Sequence, residues 1–359
     1  MKTLKIGIIL LALLLAAMVT VPMVNAKTID VDKIQLPTLQ INTTQQNTVI
    51  TGALSPISGT DIYTVPIGSI IHNDADGTTR VFDYQGKQIL VTTDAISAKV
   101  STPQGLQPAT NVHPVPQGAS VLRSKTAKNT TYILNKNGDL IMTVIDDATP
   151  QNTVSPLTQT LLNSWWLAWA TGTPSQVTEL QSEWYTPTPP SPGSTFALAI
   201  FNGLETSNMI LQPVLQWNYD LSSDSWSMAS WLYTNSNGEY PSSMVNVNQG
   251  DLIQGTLQYT TQNGETGWLV TTSDLNNDAS TSLFTDYVST TTGLEIADTL
   301  EQDKGANSNP DNMCGNIVFE NTVIPSVTLS TGTISVSGWS GLFNSVANPN
   351  PTQVSITTP

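Results

Sequence analysis

The chain has 359 residues, of which 11% are charged, and its 27 Asp and Glu outnumber its 12 Lys and Arg to give a net charge of −15. A surface this acidic repels nucleic acid and anionic lipid. Cys314 is the only cysteine, which excludes an intrachain disulfide. The only histidines, His72 and His113, leave little room for His-based catalysis or zinc binding.

At the N-terminus, Lys2 and Lys5 precede an apolar run from Ile6 to Val19, and Val24-Asn25-Ala26 fits a signal-peptidase site. This is the pattern of a secretory signal peptide ending at Ala26. The run is short for a membrane span, and no later stretch is long and apolar enough for one. The expectation is a secreted protein with no membrane span after cleavage. Removal of residues 1–26 leaves ten bases against 27 acids, a net charge of −17. Nine of those bases lie in residues 27–150; beyond 150, Lys304 alone faces 17 acids. In acid the carboxylates neutralise, and a region almost without Lys or Arg gains little positive self-repulsion. An acid-tolerant extracellular domain follows.

Residues 27 to about 50 are polar and read as extended. The stretch 79–93 alternates apolar and polar residues around Gln85-Gly86, and 130–146 does so around Asn137-Gly138. Both predict β-hairpins. His72-Asn73-Asp74-Ala75-Asp76-Gly77 has a faint likeness to a calcium loop but lacks the ligand spacing and distal glutamate, so a turn is expected. Segment 101–118, with four prolines, reads as loop or extended connection.

Composition shifts near 150. All nine tryptophans follow it, and ten strand-like runs recur between 163 and 324. PTPPSPG (187–193) lies between two of them and reads as an interstrand loop. The predicted fold is all-β: a concanavalin-like jelly roll or β-sandwich of two antiparallel sheets, preceded by a smaller β-rich unit. The expected division is a signal peptide (1–26), the N-terminal unit (27–150), the sandwich (151–345) and a polar tail (346–359).

No glycine-rich loop opens a helix, so no nucleotide cofactor is expected, and no metal cluster is legible. What remains is carboxylate chemistry, or binding without chemistry. In Met209–Trp217, period 2 puts Ile210, Gln212, Val214 and Gln216 on one face and Leu211, Pro213, Leu215 and Trp217 on the other. The second face is apolar throughout and belongs in a core; the first is mixed, like the wall of a groove. Glu295 lies between Leu294 and Ile296, where a carboxyl is a candidate for a raised pKa and acid–base work.

At these residues the chain resembles the eqolisins, the glutamic peptidases. Ile210-Leu211-Gln212, followed by Trp226 and Trp231, matches the family's glutamine strand. Leu294-Glu295-Ile296-Ala297 matches its glutamate strand loosely. The likeness runs in consistent order from about 163 to 325, through individually weak motifs. Phe201 stands where the family has tryptophan, Glu205 where it has aspartate, and Ser230 near the position of a groove glutamate. The family's disulfides are absent.

The resemblance implies a β-sandwich in which Glu295 activates a water and Gln212 donates to the oxyanion. Gln216, Trp226, Trp231, Phe201, Glu205 and Ser230 are the expected groove residues. It also implies acid activity on an extracellular polypeptide, no cofactor, and a removable N-terminal unit at 27–150. The alternative is a secreted module that binds a glycan or peptide on an aromatic-lined face without cleaving it.

Overall fold

The computed structural model describes residues 33–40, 65–93, 99–147 (except 104), 165–172, 177–190, 198–206, 209–218, 224–234, 238–287, 295–303, 314–323 (except 315), 330–335, 345–350 and 353–357. The signal-peptide reading (1–26) and part of PTPPSPG fall outside them. Among the described residues no helix is long and apolar enough to cross a membrane.

Turn chemistry sets the N-terminal strands. β1 (Ser69–Asn73) and β2 (Thr78–Phe82) flank a turn at Asp74–Gly77, in the segment with the faint calcium-loop likeness. β2 and β3 (Gln88–Thr93) turn at Gly86, whose φ of +82° suits glycine. There Asp83 Oδ1 accepts the backbone N–H groups of Gln85 and Lys87. β7 (Thr130–Leu134) and β8 (Leu140–Asp146) turn at Gly138 in the same way, with Asn135 Oδ1 accepting from Asn137 and Asp139. Both predicted hairpins are present.

Segment 101–118 is not a plain loop. β4 (Lys99–Thr102) and β5 (Gly105–Pro108) pair with each other and with neither large sheet; a short 3-10 helix (Ala109–Asn111) follows. The chain then enters β6 (Ala119–Arg123), which pairs with β7.

All ten predicted strand-like runs contain strands: β9 (Trp165–Gly172), β10 (Glu179–Tyr185), β11 (Leu198–Thr206), β12 (Met209–Trp217), β13 (Trp226–Thr234), β16 (Leu252–Gln262), β17 (Glu265–Asp274), β18 (Ala279–Thr285), β19 (Glu295–Asp303) and β20 (Ile317–Val323). Five shorter strands join them: β14 (Glu239–Pro241), β15 (Val245–Val247), β21 (Ser330–Ser335), β22 (Ser345–Asn350) and β23 (Gln353–Thr357). The last two lie where a polar tail was expected. They pair with each other, and β23 pairs with β20.

Among the described residues the strands form a β-sandwich. One sheet runs β14-β13-β12-β11-β19-β9-β21, with β15 also on β13. The other runs β22-β23-β20-β10-β16-β17-β18-β6-β7-β8-β1-β2-β3. The N-terminal strands thus extend the second sheet. They do so through a parallel pairing, Leu283↔Ala119 to Thr285↔Val121, and β1 and β8 are also parallel. The sheet is mixed rather than purely antiparallel.

Side chains of Leu204, Leu211, Leu232, Leu257, Trp268 and Val270 fill one part of the space between the sheets. Trp184, Ile200, Leu215, Trp217, Trp226, Ile253 and Phe319 fill the next. β10 alternates buried and exposed residues, as a strand with one solvated face should. β12 is buried at every position, so both faces of its sheet are covered there.

Close approach of the sheets is fixed at Gly255 on β16. A Cβ there would come within 2.1 Å of Asn202 Oδ1 and 2.9 Å of both the Pro213 ring and the Trp184 ring. Asn202 Nδ2 donates to the Gly255 carbonyl at 3.0 Å. Gly255→Ala overpacks this contact. Urea unfolding should show a loss of about 1–3 kcal/mol, and a loss below about 0.5 kcal/mol would mean that the sheets have room to part.

Candidate functional site

Directly opposite residues of an antiparallel pair share a face, so the ladder assigns faces across the first sheet. One row runs Glu239 (β14), Tyr233 (β13), Ile210 (β12), Glu205 (β11) and Glu295 (β19). The adjoining row on that face runs Pro241, Trp231, Gln212, Gly203 and Ala297. Gly203 falls opposite Gln212 by the register of the flanking pairs, Phe201↔Val214 and Leu204↔Leu211. The ladder lapses between those pairs at Pro213, which has no N–H to donate.

Gln212 and Glu295 therefore lie on one face, the outer one, of one sheet. They are two strands and two residues apart, on the order of 12 Å between Cα atoms from strand spacing and rise. Gly203 and Ala297 hold the register positions between them. Gln212 is 1% exposed, and neither its Oε1 nor its Nε2 has a hydrogen-bond partner among the described residues. A buried amide without partners costs about 1–3 kcal/mol, so such a group calls for a water or a ligand to satisfy it.

The outer face is covered. Val100 and Val112 pack against Ala199, Phe201, Val214, Ala229 and Trp231. Gln216 Nε2 donates to the Ser101 carbonyl oxygen and to Ser101 Oγ, each at 3.1 Å. Next to the hairpin, the main chain joins the β14 edge. His113 N donates to the Glu239 carbonyl at 2.7 Å and Val115 N to that of Pro241 at 2.8 Å, in parallel bridges Val112↔Glu239 and Val115↔Ser242.

Two titratable groups are buried in this contact. The Glu239 carboxyl is pushed up to about 8 by burial, partly offset by a hydrogen bond with Thr102. The His113 imidazole is pushed down to about 4 by burial alone. Its ring lies 5.4 Å from that of Tyr240, and its Nε2 has no hydrogen-bond partner among the described residues.

Of the expected groove residues, Gln216, Trp231, Phe201 and Glu205 join Gln212 and Glu295 on the outer face. Trp226 and Ser230 do not. Trp226 pairs with Trp217 and packs edge-on against it at 5.4 Å between the sheets. Ser230 pairs with Pro213, and its Oγ donates to the Thr281 carbonyl at 3.0 Å and lies 3.1 Å from Thr272 Oγ1, across the sandwich. The reason is strand parity: Trp226 and Ser230 stand five positions and one position from Trp231, both odd offsets. Sequence reading missed Glu239, His113 and the Val100-Ser101-Thr102 stretch. Parity about Trp231 was the available signal for the first two corrections; nothing local marks Glu239 as buried.

No protein-family model matches the chain, and no curated protein sequence matches it. Solved structures give distant likenesses. Scytalido-glutamic peptidase with a transition-state analog inhibitor is 16% identical over 55% of this chain and 100% of its own, with a TM-score of 0.42. SCP-B, described as a member of the eqolisin family of peptidases and bound to the tripeptide Ala-Ile-His, is 16% identical over the same shares, with a TM-score of 0.38. The CBM2 module of an evolved Dit protein of Lactobacillus casei BL23 phage J-1 is 8% identical over 52% of this chain and 82% of its own, at 0.23. These likenesses assign no activity to this chain.

The pKa directions predict opposing pH dependences. Glu239 binds its proton more tightly folded than unfolded, so its contribution is full below about pH 4.5 and is lost as pH rises towards 8. His113 binds its proton less tightly when folded, so its contribution is full above about 6.5 and is lost as pH falls towards 4. Between 4.5 and 6.5 the slopes cancel. Glu239→Gln should be near neutral at pH 4 and gain on the wild type by on the order of 1.4 kcal/mol per pH unit between 4.5 and 8. Urea unfolding at pH 4, 5.5, 7 and 8 measures this; parallel profiles for the two proteins would exclude a buried neutral Glu239.

Proposed function

We propose that the outer face of the β11–β14 and β19 sheet is a glutamic-type hydrolytic site acting on an extended extracellular polypeptide in acid. The observation that carries this reading is the buried, unpartnered amide of Gln212 on the face that holds Glu295, with only Gly203 and Ala297 between them. The motif resemblance at Ile210-Leu211-Gln212 and Leu294-Glu295-Ile296-Ala297 supports the same pair.

Glu295, as carboxylate, takes a proton from water as the oxygen attacks the peptide carbonyl carbon. Gln212 Nε2 donates to the oxygen that becomes negative, a contribution of about 3 kcal/mol when the donor is prepositioned. Glu295 then returns the proton to the departing amine. A neutral amide keeps its donors in acid, where a histidine or a second carboxylate would change state. Glu205 opposite Glu295 fits an acidic working range, since like charges directly opposite are destabilising. The signal-like N-terminus and the scarcity of bases beyond residue 150 fit an exported protein that works in acid. No cofactor has a role.

A second reading, binding without cleavage, is favoured by the intact segment of the chain's own backbone held on this face. Proteolysis of an unfolded protein substrate separates the two. The full chain, and any form it yields by processing near residue 150, should cleave between about pH 2 and 5. Glu295→Gln should abolish cleavage, and Gln212→Ala should lower kcat about 100- to 1000-fold. Absence of cleavage by the wild type at every pH would sink the hydrolytic reading and leave the binding one.

A further inference from the structure

The hairpin β4–β5 is held in an unusual way. Its strands pair only with each other, and a two-stranded hairpin alone is marginally stable in water. It nonetheless presses on the outer face, with Ser101 and Thr102 fully buried and Val100 8% exposed. The contacts made by these three residues are of the kinds that peptide ligands make. The Val100 side chain enters the apolar seat of Phe201, Val214, Ala229 and Trp231. The Ser101 carbonyl and hydroxyl accept from Gln216, and the Thr102 side chain hydrogen-bonds the Glu239 carboxyl. Beyond the 3-10 helix, His113 and Val115 add main-chain hydrogen bonds along the β14 edge, as in strand addition.

A hydrogen bond to a main-chain carbonyl is available from any sequence, so Gln216 recognises a peptide as such. The apolar seat and Glu239 then discriminate among side chains. Packing alone would be served by apolar residues, whereas two buried hydroxyls and a buried amide need partners supplied from opposite sides of the contact.

We infer that Val100-Ser101-Thr102 sits in the seats of the peptide ligand, and that the face selects an aliphatic residue followed by two small hydroxyl-bearing residues. This rests on the outer face being the ligand site, and it does not require hydrolysis.

The test uses the full chain carrying Val100→Asp, which places a charge in the apolar seat and releases the hairpin. Hydrogen exchange at pH 5.5 reports release as faster exchange across 99–115, and circular dichroism reports that the sandwich is kept. A fluorescein-labelled Lys-Val-Ser-Thr-Pro-Gln peptide, followed by anisotropy, should bind this variant at least tenfold tighter than it binds the wild type. It should also bind tenfold tighter than a peptide with Asp for Val. Adding Gln216→Ala should weaken binding about tenfold.

Equal affinity for the two peptides, or no binding by a chain whose hairpin has been released, overturns the inference. A second variant, Val100→Ala with Ser101→Gly, covers failure of the first to fold. If neither variant folds with its hairpin released, the hairpin is part of the core and the inference falls. Assaying the same mixtures for cleavage keeps the two readings apart. Binding without cleavage leaves this inference standing and removes hydrolysis; cleavage without preference for valine does the reverse.

Discussion

Burial of β12 on both faces is the constraint from which the rest of the structure follows. Its inner side chains, Leu211, Leu215 and Trp217, pack against the second sheet, as apolar residues of a sandwich do. Its outer side chains are buried too, with Val100, Ser101 and Val112 over them. Gln212 and Gln216 are therefore buried polar groups rather than a solvated edge, and each needs an explanation. The Gln216 Nε2 has one in Ser101, while its Oε1 has no partner among the described residues. Gln212 has none within the described chain, and Gly203 and Ala297 hold the register positions beside it.

The same constraint explains the electrostatics. Once a polypeptide segment covers the face, the carboxyl of Glu239 and the imidazole of His113 lose water and both move towards their neutral forms. Among the described residues neither is compensated by an opposite charge. The contact is thus held by packing and by neutral hydrogen bonds. Asp, Glu, Lys or Arg at position 100 or 112 would be incompatible with it.

Much of the fold was legible because alternation and turn residues agreed. Gly86 and Gly138 mark their hairpins through backbone conformation, and the ten strand-like runs announce their strands. The short strands from Ser330 to Thr357 were not legible: Ser, Thr, Asn and Gly without strong alternation read equally as loop or tail, and only their sheet neighbours define them. The hairpin at Lys99–Pro108 was hidden for a related reason, since its prolines argue against a ladder and its stability comes from the face it covers. For the site, period 2 puts Gln212 and Gln216 on the mixed face of β12 and Leu211, Leu215 and Trp217 in the core, as found. Trp226 and Ser230 enter the groove only through the resemblance, whereas parity about Trp231 puts both on the opposite face, where they lie.

The parallel pairing of β6 with β18 separates covalent continuity from physical association. A single cut in the backbone between Asp147 and Trp165 would divide the polypeptide without dividing the second sheet, because Ala119–Val121 would still be bonded to Leu283–Thr285. The two fragments would remain one particle until that edge and the contacts of Ser101, His113 and Val115 with the first sheet were all broken. An unpaired β18 would then present a row of open N–H and C=O groups. Processing and departure of the N-terminal part would thus be distinct events with distinct barriers, and a nicked species could persist between them.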